Sequence, residues 1–136
     1  MKRLMIAAIA IVMPLTATAC GMGEQTADGY ENATIEHAHD HWQQGAKSLI
    51  PFMMLDVRTP EEYAAGHISG AKLIPVQQLA EHLSEVPHDK QVYVYCKSGG
   101  RSSRASKLLA VNGYHNIENI KGGFDAWKAA GYPVEK

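Results

Sequence analysis

Cysteine is scarce in this chain, with two residues in 136, Cys20 and Cys96. That excludes a disulfide-stapled scaffold and a cysteine-built metal cluster, both of which need several thiols. A basic excess is missing too. Thirteen Lys and Arg face fourteen Asp and Glu, for a formal net charge of −1, which argues against a nucleic-acid-binding face. Long apolar runs are also lacking: the stretch from Leu4 to Leu15 falls short of the roughly 20 residues that span a bilayer. There is no internal repeat and no low-complexity block. What remains is ordinary for a folded domain, 46% hydrophobic and 20% charged, with length enough for one core.

The N-terminus has the pattern of an export signal. Lys2 and Arg3 form a basic start, Leu4 to Leu15 an apolar centre, and Thr16-Ala17-Thr18-Ala19 a run of small residues before Cys20. Small residues followed by cysteine resemble the lipobox of bacterial lipoproteins, which implies cleavage after residue 19 and lipid on Cys20. Ala17-Thr18-Ala19 equally fits an ordinary cleavage site, which would make the protein soluble in the periplasm or secreted. Removal of residues 1–19 takes the 13 basic residues to 11 against 14 acidic ones, a net charge of −3. Residues 20–32 are small and polar without hydrophobic period, and read as a tether to a domain over 33–136.

Within that domain, strand-like and helix-like segments alternate. Thr34 caps a helix that runs to about Gln44. Phe52 to Val57 is a buried strand, and Thr59-Pro60-Glu61-Glu62 starts a short helix that Gly66 closes. Ala71 to Pro75 reads as a brief strand and Val76 to Leu83 as a helix. Gln91 to Tyr95, β-branched and aromatic, is the clearest strand. A helix over Arg101 to Asn112, a strand over Asn116 to Ile120 and a helix over Gly123 to Ala130 complete the pattern. Alternation of this kind predicts an α/β fold in three layers, a parallel sheet between helices.

Chemistry concentrates where the clearest strand ends. Cys96 follows it directly, then Lys97-Ser98-Gly99-Gly100-Arg101-Ser102 lead into a helix. Two glycines let the backbone curl with its amides inward, and the helix start adds free N–H groups and a positive dipole end. Lys97 and Arg101 add full charges. Each feature favours thiolate over thiol, so Cys96 is expected to titrate below an ordinary cysteine and to act as a nucleophile toward anions.

This loop resembles the active-site loop of single-domain rhodaneses. Two further segments agree with that family in order. Leu55-Asp56-Val57-Arg58-Thr59-Pro60-Glu61-Glu62-Tyr63, continuing through Gly66-His67-Ile68-Ser69-Gly70-Ala71 to Ile74-Pro75, is similar to its first signature. Gly122-Gly123-Phe124-Asp125-Ala126-Trp127, with Gly131-Tyr132-Pro133-Val134, is similar to its last. The resemblance covers about Thr34 to Val134. It implies a roughly five-stranded parallel sheet and a two-step sulfur transfer, in which Cys96 takes the outer sulfur of thiosulfate or a related donor as a persulfide and yields it to a thiophilic acceptor.

By position, the amides of Lys97, Ser98, Gly99, Gly100, Arg101 and Ser102 would cradle the persulfide, and Lys97 and Arg101 would orient the donor. Arg58 either faces the same pocket or pairs with Glu61 or Glu62, and Asp56 ties loops together. Phosphatases that share this fold place five residues between cysteine and arginine. Here four lie between Cys96 and Arg101, and Ser102 holds the phosphatase arginine's place, which argues against phosphate chemistry.

His37, His39 and His41 form no metal site on this reading but a solvated helix face, and His67 satisfies loop hydrogen bonds. Trp42, Phe124 and Trp127 belong to the core. No cofactor and no metal is implied. The expected partners are a small anionic sulfur donor, a thiophilic acceptor and the membrane that holds the lipid, with no nucleic acid. A persulfide carrier that serves a protein partner is the alternative to an enzyme. A redox role ranks last, because Cys96 has a resolving thiol only if Cys20 escapes lipid.

Overall fold

The computed structural model describes residues 23–136. The export signal expected over 1–19 and the lipid site expected at Cys20 fall outside the described residues. In chain order the elements are strands β1 (Glu24–Gln25) and β2 (Glu31–Ala33), helix α1 (Ile35–Gln44), β3 (Phe52–Asp56), α2 (Pro60–Ala65), β4 (His67–Ile68) and β5 (Lys72–Leu73). After them come β6 (Gln91–Tyr95), α3 (Gly100–Val111), β7 (Ile117–Ile120), α4 (Gly123–Ala129) and β8 (Val134–Glu135).

The main sheet has the order β1-β2-β7-β6-β3-β5. Its five strands from β2 to β5 are parallel, and β1 adds an antiparallel edge. A rhodanese-like α/β fold was the expectation, and the sheet has that form. Strand β6 sits near the centre, and its alternation divides the interior in two. Val92 and Val94 face one core with Leu55, Val57, Leu79, Ala105 and Leu109, under α3. Tyr93 and Tyr95 face the other with Met54, Ile68, Phe124 and Trp127, under α1 and α4. The buried aromatics keep their polar atoms satisfied: Trp127 Nε1 donates to Pro133 O at 2.9 Å and Tyr95 Oη accepts from Ile68 N at 3.1 Å.

The helix caps follow the sequence. Thr34 Oγ1 accepts from His37 N at 3.1 Å and Thr59 Oγ1 from Glu62 N at 3.2 Å, each satisfying an otherwise unpaired helix amide. The segment from Val76 to Leu83 departs from expectation. Instead of a helix it forms two 3-10 turns, Leu79–Glu81 and Leu83–Glu85, broken at His82. Pro75 and Pro87 bound the stretch, and the break brings Leu79, Leu83 and Val86 together onto the first core.

The tether reading also fails from Glu24 onward. β2 lies along β7 with Glu31 beside Glu118 and Ala33 beside Ile120. Only Ala33 of that strand is buried, so it carries no hydrophobic period for a sequence to display. The histidine-bearing helix α1 is not a solvated face either. His39 is buried and stacks on Tyr132 at 3.7 Å, and His37 and His41 both reach Tyr93 Oη, at 3.3 and 2.9 Å. No cluster able to hold a metal ion occurs among the described residues. Nor, among them, is any helix long and apolar enough to cross a membrane.

Register decides where the site falls. Asp56 pairs with Tyr95, so β3 and β6 end side by side at their carboxyl ends. Arg58 and Cys96 follow at that edge, the usual ligand position of an open α/β sheet.

Candidate active site

Cys96 is 1% exposed at the end of β6, and its sulfur takes the place of a helix cap. The residue at the start of α3, Gly99, offers no capping side chain. Its own N–H donates to Cys96 Sγ at 3.0 Å instead. Gly99 has φ +125°, a backbone open to glycine and strained for other residues, and this turn aims the amide back at the sulfur. Gly100 is different. Its φ is not positive and a Cβ there would meet nothing within 4 Å, so one glycine makes the curl rather than two.

Burial pushes the Cys96 thiol up, but donors outweigh it. The Ser102 hydroxyl and the amides of Ser102, Gly99 and Ser98 hold the sulfur below the ordinary cysteine range. Ser102 is fully buried with Oγ 3.4 Å from Sγ. The hydroxyl of Ser102 is the contact sequence reasoning missed; a serine one place past the loop arginine was the available signal.

The two loop cations lie elsewhere than expected. Arg101 forms a two-pronged bond with Glu62, Nη1 to Oε1 at 2.7 Å and Nη2 to Oε2 at 2.9 Å. That bond raises Arg101 and lowers Glu62, and the charge on Cys96 adds a smaller lift to Arg101. Lys97 Nζ rests on Asp125 Oδ2 at 2.8 Å. The thiolate is therefore stabilised mainly by amides and one hydroxyl, and the cations tie the loop to α2 and α4. Arg58 is buried at 3% exposure and grips Asp56, with Nη2 to Oδ2 at 2.7 Å and Nη2 to Gly66 O at 2.7 Å. Its partner is Asp56, not Glu61 or Glu62, and Asp56 holds a loop as expected.

Helix α4 is the unforeseen support. Phe124 N donates to Cys96 O at 2.8 Å and Asp125 N to Lys97 O at 3.0 Å. Gly123 (φ +57°) permits this approach, since a Cβ there would lie 2.5 Å from Cys96 O. His67 bonds Tyr63 O at 2.9 Å and Glu135 Oε1 at 3.2 Å, a structural role.

Beside the loop opens a groove of about 580 Å³ with Arg58, Glu62, Lys97, Phe124, Asp125 and Lys128 among its walls. A larger hollow of about 940 Å³ lies at the opposite end of β3, around Phe52 and Trp42, away from the reactive sulfur.

A model of the rhodanese-like domain matches residues 27–130. The chain belongs to the rhodanese-like family. It is 47% identical over 74 residues to the uncharacterised protein YqhL of Bacillus subtilis (strain 168), across 54% of this chain and 59% of that protein. The chain thus matches less than two thirds of that relative's length. A sulfurtransferase of Allochromatium vinosum is 39% identical over 82 residues, 60% of this chain and 77% of that one. Among solved structures, the rhodanese-like domain of an Anabaena protein superposes with a TM-score of 0.69 at 31% identity, over 76% of this chain and 77% of that one. The rhodanese match begins at residue 27, inside the segment that pairs into the sheet, in keeping with a domain that starts ahead of residue 33.

Proposed function

We propose that this protein is a sulfurtransferase that carries sulfane sulfur as a persulfide on Cys96. The thiolate attacks the outer sulfur of an anionic donor such as thiosulfate. A new S–S bond forms, the donor's S–S bond breaks, and its electron pair leaves with sulfite. An acceptor then attacks the outer sulfur of the persulfide, and the Cys96 thiolate departs with its electrons. The thiolate form, which the loop's donors favour, attacks without a general base. The observation that carries this reading is the Gly99 N–H on Cys96 Sγ at 3.0 Å, one of several donors that would equally hold a persulfide anion. The kinship with a sulfurtransferase supports it.

Cyanide-dependent thiocyanate formation from thiosulfate tests the proposal. It is expected in the wild type and in Cys20→Ala, and lost in Cys96→Ala. No turnover with thiosulfate, mercaptopyruvate, polysulfide or glutathione persulfide would sink the enzyme reading.

One observation favours a second reading, a persulfide carrier slow with small donors. Lys97 and Arg101 are held by carboxylates, so the loop's own cations are already neutralised. Cys96 found persulfidated in protein from cells, with slow thiosulfate turnover, would select it. The proposed site of action is outside the cytoplasm, with Cys20 as lipid anchor. Radiolabelled fatty acid incorporated by the wild type and not by Cys20→Ser is the expected outcome, and equal labelling or none removes the anchor.

A further inference from the structure

The chain enters the fold at the same edge of the sheet as the reactive sulfur. Glu24 pairs with Asn32, Asn32 with Asn119 and Asn119 with Val94, a single row across β1, β2, β7 and β6. β1 is antiparallel to β2, so Gly23 lies beyond that row toward the carboxyl ends, where Cys96 also lies. Three strand spacings separate β1 from β6 in the sheet order. At roughly 4.8 Å each, the two positions are about 14 Å apart across the sheet.

The entering chain is fastened up to that edge. Lys121, the residue after β7, pairs with Glu24 at 2.6 Å. Thr26 N and Thr26 Oγ1 donate to Tyr30 O at 2.9 and 2.7 Å, and Asp28 pairs with Lys107 at 3.0 Å. Tyr30 itself is buried in the first core. Gly23 packs against β2, where a Cβ would stand 2.8 Å from Asn32 O. Cys20 is three residues ahead of Gly23, a reach of at most about 11 Å. Strand β6, of five residues, is about 17 Å long. The lead is shorter than the sheet is tall, so a lipid on Cys20 does not let the amino edge rest on a membrane. The flank made by β1 and β2 is also within reach. From Glu24 to Ala33 it carries three acids, Glu24, Asp28 and Glu31, and no Lys or Arg, which an anionic bilayer repels.

We infer that the carboxyl edge of the sheet, with the Cys96 loop, is a docking surface for the headgroups of a lipid bilayer. The inference rests on the proposed lipid at Cys20 and is independent of the sulfur chemistry, to which it adds a direction of approach. A small anion passes between the domain and the headgroups, whereas a protein partner reaches Cys96 along the membrane.

The test places the protein recovered from cell membranes in nanodiscs that carry a nitroxide headgroup lipid, and reads its backbone amides by NMR. Signals of Gly99, Lys121 and Gly123, at the carboxyl edge, are expected to be lost to relaxation. Those of Gly113 and Asn116 are expected to survive, since they lie beyond the far end of α3, a helix about 18 Å long. A spacer of about 20 Gly and Ser residues inserted after Gly21 adds roughly 25 Å of reach and should restore the lost signals. Loss at Gly113 and Asn116, equal loss at both edges, or no response to the spacer overturns the inference and leaves the anchor standing. Protein recovered without lipid removes anchor and inference together. The readout involves no sulfur transfer, so a failure of Cys96 to take sulfur from any donor would leave the bilayer contact in place.

Discussion

Ser102→Ala deletes one donor to the Cys96 sulfur and leaves the amide ring in place. In the thiol form Sγ donates to Ser102 Oγ at 3.4 Å, and that hydroxyl donates to Gly99 O at 3.1 Å. When the thiol proton leaves, the hydroxyl has to turn its single hydrogen to the sulfur. Gly99 O is not stranded by the turn, because Ser103 N and Ser103 Oγ donate to it at 3.0 and 2.8 Å. The reorientation therefore carries little penalty, and the bond to the thiolate contributes about 1.5–3 kcal/mol. At about 1.4 kcal/mol per factor of ten, its loss lowers the thiolate-to-thiol ratio about tenfold or more at a fixed pH. The sign is definite: the variant ionises at higher pH than the wild type, so its deficit is greatest below the wild-type midpoint and disappears above its own. Ultraviolet titration of thiolate absorbance measures the midpoint, and the pH dependence of alkylation by iodoacetamide checks it. Urea unfolding run alongside separates this effect from misfolding; a small change is expected, since the substitution removes one oxygen whose backbone partner keeps two other donors. Equal midpoints for Ser102→Ala and wild type would refute the reasoning and leave the amides as the whole source of the effect.

Arg58→Ala leaves Asp56, 0% exposed, without its partner, and should lower stability by about 3–5 kcal/mol in urea unfolding. A loss within the error of surface substitutions would show that the pair is replaceable by water. Gly123→Ala puts a Cβ against Cys96 O and Lys97 O on a left-handed backbone, so stability falls by at least about 1–2 kcal/mol and the thiolate midpoint shifts as the loop moves. Gly100→Ala is the control, expected to unfold like wild type and keep the midpoint, because its Cβ enters open space. Glu118, raised to about 7 by burial and by Glu31 beside it, favours the fold while protonated; that contribution is full below about 4.5 and lost as pH climbs through 7. Glu118→Gln should flatten the fall in urea midpoint over that window, and an unchanged slope would locate the fall elsewhere.

What the sequence displayed was what depends on neighbours in the chain. Thr34 and Thr59 cap helices three residues away, and the β-branched and aromatic run from Gln91 to Tyr95 shows its own strand. Cys96 was legible for the same reason, since strand, turn and helix around it are contiguous. The pairing of Glu31 with Glu118 spans most of the domain, and β2 has one buried residue to announce it. Arg58 presented two open readings because neither burial nor the two-pronged grip on Asp56 is visible in composition. The bond from Phe124 N to Cys96 O joins segments that only the register of β6 and β7 brings together. Adjacent glycines before a short helix marked that place without showing what approached it.

The division of labour in the loop follows from these distances. A cation placed on the sulfur would favour thiolate over thiol, and in the proposed cycle it would hold thiolate and persulfide alike, because both carry one negative charge. Amides and a hydroxyl do the same at shorter reach: they hold whichever sulfur lies within the ring and leave the field at the rim weak. Arg101 on Glu62 and Lys97 on Asp125 then work as braces, fastening the loop to α2 and α4 at points where a free charge would compete for every anion in solution. Ionisation of the sulfur thereby rests on the ring rather than on the cations, so substitutions at Ser102 should alter the pH profile for every donor.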